Sequence, residues 1–431
     1  MKTISFFLVL LAASLSLVPC GARDFSKEVL SPDGNISFQI FNQVHPDGED
    51  LLCYAVKAYG MDAVLPSRLG FEMNGKTYGR NLSLKKVESS EINEEYILMA
   101  GKKLKTINRC NESVFTFAGK GGVKFKIAVR VFDDGAAFRD LIPGKGDAVM
   151  DKELTEFAIP DGKAWIHPYD WNGRLKPSYE QYCVCGKPVG THSPLKKGWA
   201  FPMLFETGGL WTTVTEAYLD GSYPACHIDN SGNGGAYKIR FPEIEEPVIP
   251  DNPRPCSTLP WATPWRAIIT GKGLDVIFAT QMVQHLNPAS KVGDTSWIKA
   301  GKSAWSWWYN GGSVRSYETQ KAYGDIADAM DWSYSLLDSG WPRMDGEGME
   351  GVVKYANEKN RGIWLWYHSG AGREDGLGCF FYLCFLDFSG SWPRKVVIND
   401  ILGVTVITFQ STTDSPHPCH VNRGSKNSKI I

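Results

Sequence analysis

In the first two thirds of the chain, apolar residues recur at every second position, a period that fits an extended strand with one buried face. Val123, Phe125, Ile127, Val129 and Val131 alternate with Lys124, Lys126, Ala128 and Arg130, after which Asp134 and Gly135 offer a turn. Ile36, Phe38 and Ile40 alternate in the same way behind the turn Pro32-Asp33-Gly34. Gly and Pro recur throughout residues 27–290, and no long helical period interrupts them. The pattern predicts a large antiparallel β-sandwich.

After residue 300 the period changes. Residues 304–308 form a short apolar run, followed by helical spacing at Tyr323, Ile326, Ala327 and Met330. Residues 334–337 are a second run, Met349, Val352, Val353 and Ala356 repeat the helical spacing, and residues 363–367 are a third run. The runs start about 30 residues apart, the length of one βα unit. No Gly-rich phosphate loop follows the first run, which favours the opening of a (β/α)8 barrel over an open nucleotide-binding sheet. Asn310, Asp338 with Trp341, and His368 with Ser369 come after the three runs. In a barrel, that end of the strands is the active face.

A formal charge of −1 over 431 residues leaves no broad basic face for nucleic acid and no polybasic patch for an anionic membrane. A neutral partner fits better, and the load of 15 Trp, 17 Tyr and 21 Phe suits stacking on the apolar C–H faces of sugars as well as core packing. Lys2, the apolar residues 4–18 and the small Cys20, Gly21 and Ala22 read as a signal peptide over residues 1–22, implying export to the periplasm. A lipid anchor on Cys20 is the alternative. No later run reaches the ~18–20 apolar residues of a spanning helix. Cys183 and Cys185 form a C-x-C too close for a zinc ribbon, and the ten cysteines read as scattered thiols or one or two disulfides.

The runs TPWRAIITGKGLDVIFAT, HLNPAS and DTSWIKAGKSAWSWWYNGGSVRSYETQ, with LLDSGWP, YANEKNRGIWLWYHSG and TEAYLDGSYPACH, resemble glycoside hydrolase family 97 from about residue 31 to about residue 375. The resemblance implies an N-terminal β-supersandwich over residues 23–295 and, over residues 296–375, the first units of a (β/α)8 barrel. It also implies exo-acting hydrolysis of α-linked sugars and a calcium ion, with α-linked oligosaccharides or glycosides as partners. Glu216 matches the family's sandwich-borne calcium ligand; without the resemblance it reads as a surface Glu on a strand. Asp338 and Trp341 match a carboxylate and an aromatic that contact sugar, where a lone Asp would otherwise read as a turn former or helix cap. Trp308 matches a sugar-facing aromatic, with core packing as its other reading, and His368 completes the substrate-binding set.

Inverting members of the family carry a Glu general base just beyond the His after the third strand, whereas this chain reads His368-Ser369-Gly370. That departure favours the retaining, α-galactosidase-like type, with inverting α-glucosidase as the alternative. Eight βα units take about 250 residues, roughly twice the length left after residue 300. From residue 376 the composition changes character, and no Glu occurs after Glu374. The expectation is an incomplete barrel, an aberrant tail over residues 376–431 read out of frame after a frame shift near residue 376, and no activity as encoded. The rival is a true fourth strand at residues 395–398 leading to Asp400 as a catalytic candidate. A non-catalytic carbohydrate-binding remnant is the reading from another functional class.

Overall fold

The computed structural model describes residues 25–366 except 99–100, 171–180, 233, 245, 247–253, 295 and 297, together with the strands Leu383–Phe385 and Val396–Val397. Residues 1–22, including Cys20, lie outside the described residues.

The antiparallel sandwich is present. One layer orders Ser26–Leu30, Ile36–Val44, Asp50–Ala58 and Met61–Arg68 as successive antiparallel neighbours. The larger layer runs from Ser83–Ile97 through Lys105–Ala118, Lys124–Phe132, Gly135–Glu153, Trp265–Gly271, Leu210–Ala217 and Trp199–Thr207 to Lys163–Pro168. Phe38 and Tyr54 of the first layer meet Phe138 of the second at ring-centroid distances of 5.6 and 4.8 Å, so the faces are in direct aromatic contact. Phe125, Ile127, Val129 and Val131 are fully buried in that core. Burial of such side chains contributes about 1.5–3 kcal/mol each before the entropy of ordering is subtracted.

Two details differ from the sequence expectation. The turn after this strand is Asp133-Asp134, because Phe132 already pairs with Gly135. Gly135 instead begins the next strand, where a Cβ would stand 2.3 Å from the Ile268 carbonyl oxygen; the close approach demands glycine. The opposite face of the strand is also covered: Ala128 packs with Trp265, Ile269, Met282 and Leu286 in a second core. The last two residues come from the connection leaving the sandwich, which carries the helices Leu274–Ala279 and Met282–His285.

Beyond it, Ser303–Trp305, Tyr334–Leu337 and Gly362–Leu365 are parallel neighbours. Helices Tyr317–Ala329 and Gly348–Glu358 form the crossovers, giving a βαβαβ unit with a parallel sheet, as expected for the first units of a barrel. Val352, Val353 and Ala356 are buried as their spacing predicts. In the first helix the buried positions are Tyr317, Gln320, Gly324 and Ala327, while Ile326 and Met330 are exposed. Gln320 takes an inward place because its Nε2 donates to Ser306 Oγ at 2.9 Å and to the Ser313 carbonyl at 2.9 Å, bonds that apolar spacing cannot reveal. The parallel order then stops: Leu383–Phe385 joins the third strand antiparallel, and Val396–Val397 joins Leu383–Phe385 antiparallel. The segment read as a fourth strand is therefore a short strand that neighbours Leu383–Phe385 and not the third parallel strand, and Asp400 lies outside the described residues.

Candidate functional site

Residues facing each other across parallel strands share a face of the sheet, and alternate residues along a strand return to it. Trp305 pairs with Leu336, so Trp305, Leu336 and the following Asp338 fall on the same side. The opposite side carries Leu337, Ile363 and Leu365, which pack with Val352 and Val353 of the second helix. Asp338 is thereby placed just past the C-terminal end of the second strand and on the face away from that helix. It is only 7% exposed.

Its two oxygens both accept hydrogen bonds. Trp305 Nε1 donates to Oδ2 at 2.7 Å, and the Ser339 amide donates to Oδ1 at 2.6 Å. The Trp305 ring is stacked with Trp307, with centroids 5.8 Å apart and planes 14° apart, and it meets Trp308 at 5.3 Å and 41°. Trp308 lies in the turn after the first strand and is 80% exposed, so among the described residues it is not packed in a core. An acceptor carboxyl beside exposed indole faces can take a sugar's hydroxyl donors and its apolar C–H surface together. Trp341, by contrast, packs half-buried against the core of Tyr317 and Val352, within the Trp341–Arg343 turn. His368 lies outside the described residues.

Glu216 lies on the sandwich strand Leu210–Ala217, and its side chain is only 8% exposed. Register places it opposite Arg266. Its Oε2 accepts from Arg266 Nη1, and its Oε1 accepts from the Cys226 amide at 3.2 Å. Arg266, 1% exposed, also grips Glu153 with two bonds, Nε to Oε1 at 3.0 Å and Nη2 to Oε2 at 2.6 Å. The Tyr223 hydroxyl donates to Glu153 as well. Burial raises the pKa of Glu216, against the opposing pull of Arg266. Burial would by itself lower the pKa of Arg266, but the Glu153 and Glu216 carboxylates help hold it above the ordinary arginine range. Nearby Asp140 is pushed up to about 8, chiefly by burial and then by the charge of Glu153.

The structure thus joins Asp338 to Trp308 through Trp305, leaves Trp341 in the packing between strand and helix, and keeps both oxygens of Glu216 on sandwich partners. Sequence reasoning missed Trp305, Arg266, Glu153 and Asp140. Trp305 could have been found by carrying period two through parallel register; the other three meet only through sheet pairing and facing. Cys183 and Cys185 are free thiols, with Cys185 Sγ donating to the Cys183 carbonyl at 3.4 Å.

Residues 29–288 match the family described as Glycosyl-hydrolase 97 N-terminal. The chain is 30% identical over 380 residues to a "Probable retaining alpha-galactosidase" of Streptomyces bingchenggensis, a match covering 84% of this chain and 56% of that protein. It is 26% identical over 417 residues to a retaining alpha-galactosidase of Bacteroides thetaiotaomicron, covering 86% and 59%. Among solved structures, a beta-arabinopyranosidase superposes with a TM-score of 0.72 at 29% identity, covering 80% of this chain and 55% of that one. The chain therefore spans a little over half the length of each of these relatives.

Proposed function

The chain belongs to glycoside hydrolase family 97, and from that premise we propose that the whole protein hydrolyses terminal α-linked sugars as a retaining, α-galactosidase-like enzyme. The observation that carries this reading is the 30% identity, over 84% of the chain, to a relative named for retaining α-galactosidase activity. The solved relative named as a beta-arabinopyranosidase points the same way. β-L-Arabinopyranose has the ring and anomeric configuration of α-galactose and lacks only its C6 group. The absence of a carboxylate at Ser369 also argues against the inverting α-glucosidase alternative.

In this reading Asp338 accepts hydroxyl hydrogen bonds from the bound sugar and Trp308 stacks on its ring. Neither is the nucleophile or the acid. Retaining hydrolysis needs two carboxyl groups about 5–5.5 Å apart, one to attack and one to protonate the leaving oxygen. Asp338 is held as an acceptor, and Glu216 is held by Arg266. The calcium ion that the resemblance implies at Glu216 does not fit the described residues: both carboxylate oxygens are engaged by Arg266 and the Cys226 amide, and among those residues no group of three or more His, Cys, Asp or Glu side chains is placed to hold a metal ion. No step is routed through it. Export through residues 1–22 belongs to the same reading.

The test is sugar binding by the 431-residue chain, followed through tryptophan fluorescence. Methyl α-galactoside is expected to bind more tightly than methyl α-glucoside, and D338N is expected to weaken it about tenfold or more. Tighter binding of the glucoside would favour the α-glucosidase alternative, and no binding of either sugar by folded protein would sink the reading. The same chain should hydrolyse a nitrophenyl α-galactoside no faster than buffer. Turnover that disappears in D400N would show that Asp400 is catalytic.

A further inference from the structure

We propose that Trp305 is a positioning residue of the sugar site: its indole N–H fixes Asp338 while its ring backs the exposed indoles of Trp307 and Trp308. Acceptor and stacking platform are then held as one unit. The inference rests on the sugar-binding reading above and adds to it how the site is assembled.

Three observations meet at this residue. The parallel register forces Trp305 onto the face that carries Asp338, and a one-residue slip would turn it to the helix side. The bond from Nε1 to Oδ2 is short, at 2.7 Å, and ends on a carboxyl that is 7% exposed. Such a carboxyl needs donors to offset its lost hydration. An indole N–H can only donate, so it favours Asp338 as an acceptor and not as a proton donor. The Ser339 amide donates to the other oxygen, so donors of the chain itself fix both oxygens of the carboxyl.

Exposure rises outward across the three indoles. Trp305 is half-buried, Trp307 is 45% exposed and Trp308 is 80% exposed, and the Trp305 ring touches both of the others. The outer rings are wet enough to receive a ligand, while the inner ring sets where they stand. Removing the indole N–H should therefore disturb sugar binding through Asp338, and removing the ring should disturb it through the platform as well.

The test compares wild type, W305F, W305H, D338N and W305F/D338N for methyl α-galactoside binding, with circular dichroism to confirm folding. W305F is expected to lose about tenfold or more in affinity, the size of a lost charge-assisted hydrogen bond. W305H, which can keep a ring N–H donor, should recover part of the loss. The double variant should bind no worse than D338N. Binding by W305F equal to wild type, while D338N is impaired, would overturn the inference and leave the sugar-binding reading standing. No binding by any variant or by wild type would defeat both. Should W305F fail to fold, exchange of indole N–H protons reads the same bond: one protected indole proton in wild type should become fast in D338N, and an unchanged spectrum would overturn the inference.

Discussion

Arg266 is buried in the sandwich beside Glu153 and Glu216, with Asp140 close enough to feel the charges of Glu153 and Arg266. One guanidinium cannot neutralise three carboxylates, so the third group does best to keep its proton. Asp140 is the one that does, its pKa raised from 3.8 to about 8. That direction sets the sign of the linkage. Below pH ~4 the group is protonated in both folded and unfolded chains; as pH rises from about 4 to 8 only the unfolded chain releases the proton, so stability falls through that window and levels off above it. Asp140→Asn should remove this dependence. Urea midpoints at pH 5 and pH 8 are expected to draw together, with the variant gaining on the order of 2–3 kcal/mol over wild type at pH 8. An unchanged pH slope would show that Asp140 is ionised in the fold.

The two crossover helices differ in how their packing is specified. Gly348–Glu358 is held by an apolar stripe of Val352, Val353 and Ala356, which the 3.6-residue period displays directly. Tyr317–Ala329 is held instead by the polar Gln320, by Gly324 beside the Tyr355 ring, and by an N-cap at Ser316, whose Oγ accepts from the Thr319 amide at 3.2 Å. Its face could not be read from hydrophobicity, because the anchoring groups are hydrogen-bonded and small. Ser316→Ala is expected to cost about 1 kcal/mol, by leaving a first-turn amide without its side-chain acceptor. Thermal melts should show this as a lower midpoint, whereas Ile326→Ala, on the exposed face, should change little. Equal losses for the two variants would contradict the cap and the assignment of faces.

On the scale of the whole molecule, the sandwich and the α/β part are built on different sheets and different cores. Between them, residues 287–291 are exposed, and Lys299 lies further along the same connection. Brief trypsin digestion is expected to cut at Lys291 or Lys299 and to leave a sandwich fragment with its own cooperative melt, because the fragment keeps both aromatic layers and the second core around Trp265. Loss of that melt after the first cut would mean that the sandwich depends on the α/β part for its stability.

The sequence by itself determined the elements whose cause is local. Alternation at Phe125, Ile127, Val129 and Val131 required a strand with that face buried, helical spacing at Val352, Val353 and Ala356 required an amphipathic helix, and the residues around Asp338 lay in a motif that resembled the family. The resemblance also proposed Trp308, Asp338, Trp341 and His368 as one substrate-binding set. Tertiary structure decided which groups those residues meet. Only parallel register brings the Trp305 N–H to Asp338, only antiparallel register sets Arg266 opposite Glu216, and only the turn of the chain after Leu337 packs the half-buried Trp341 against the core. The physical reason is range: backbone period and side-chain polarity act over a few residues, whereas a buried hydrogen bond or ion pair joins positions 33 to 113 residues apart that nothing in their local sequence links.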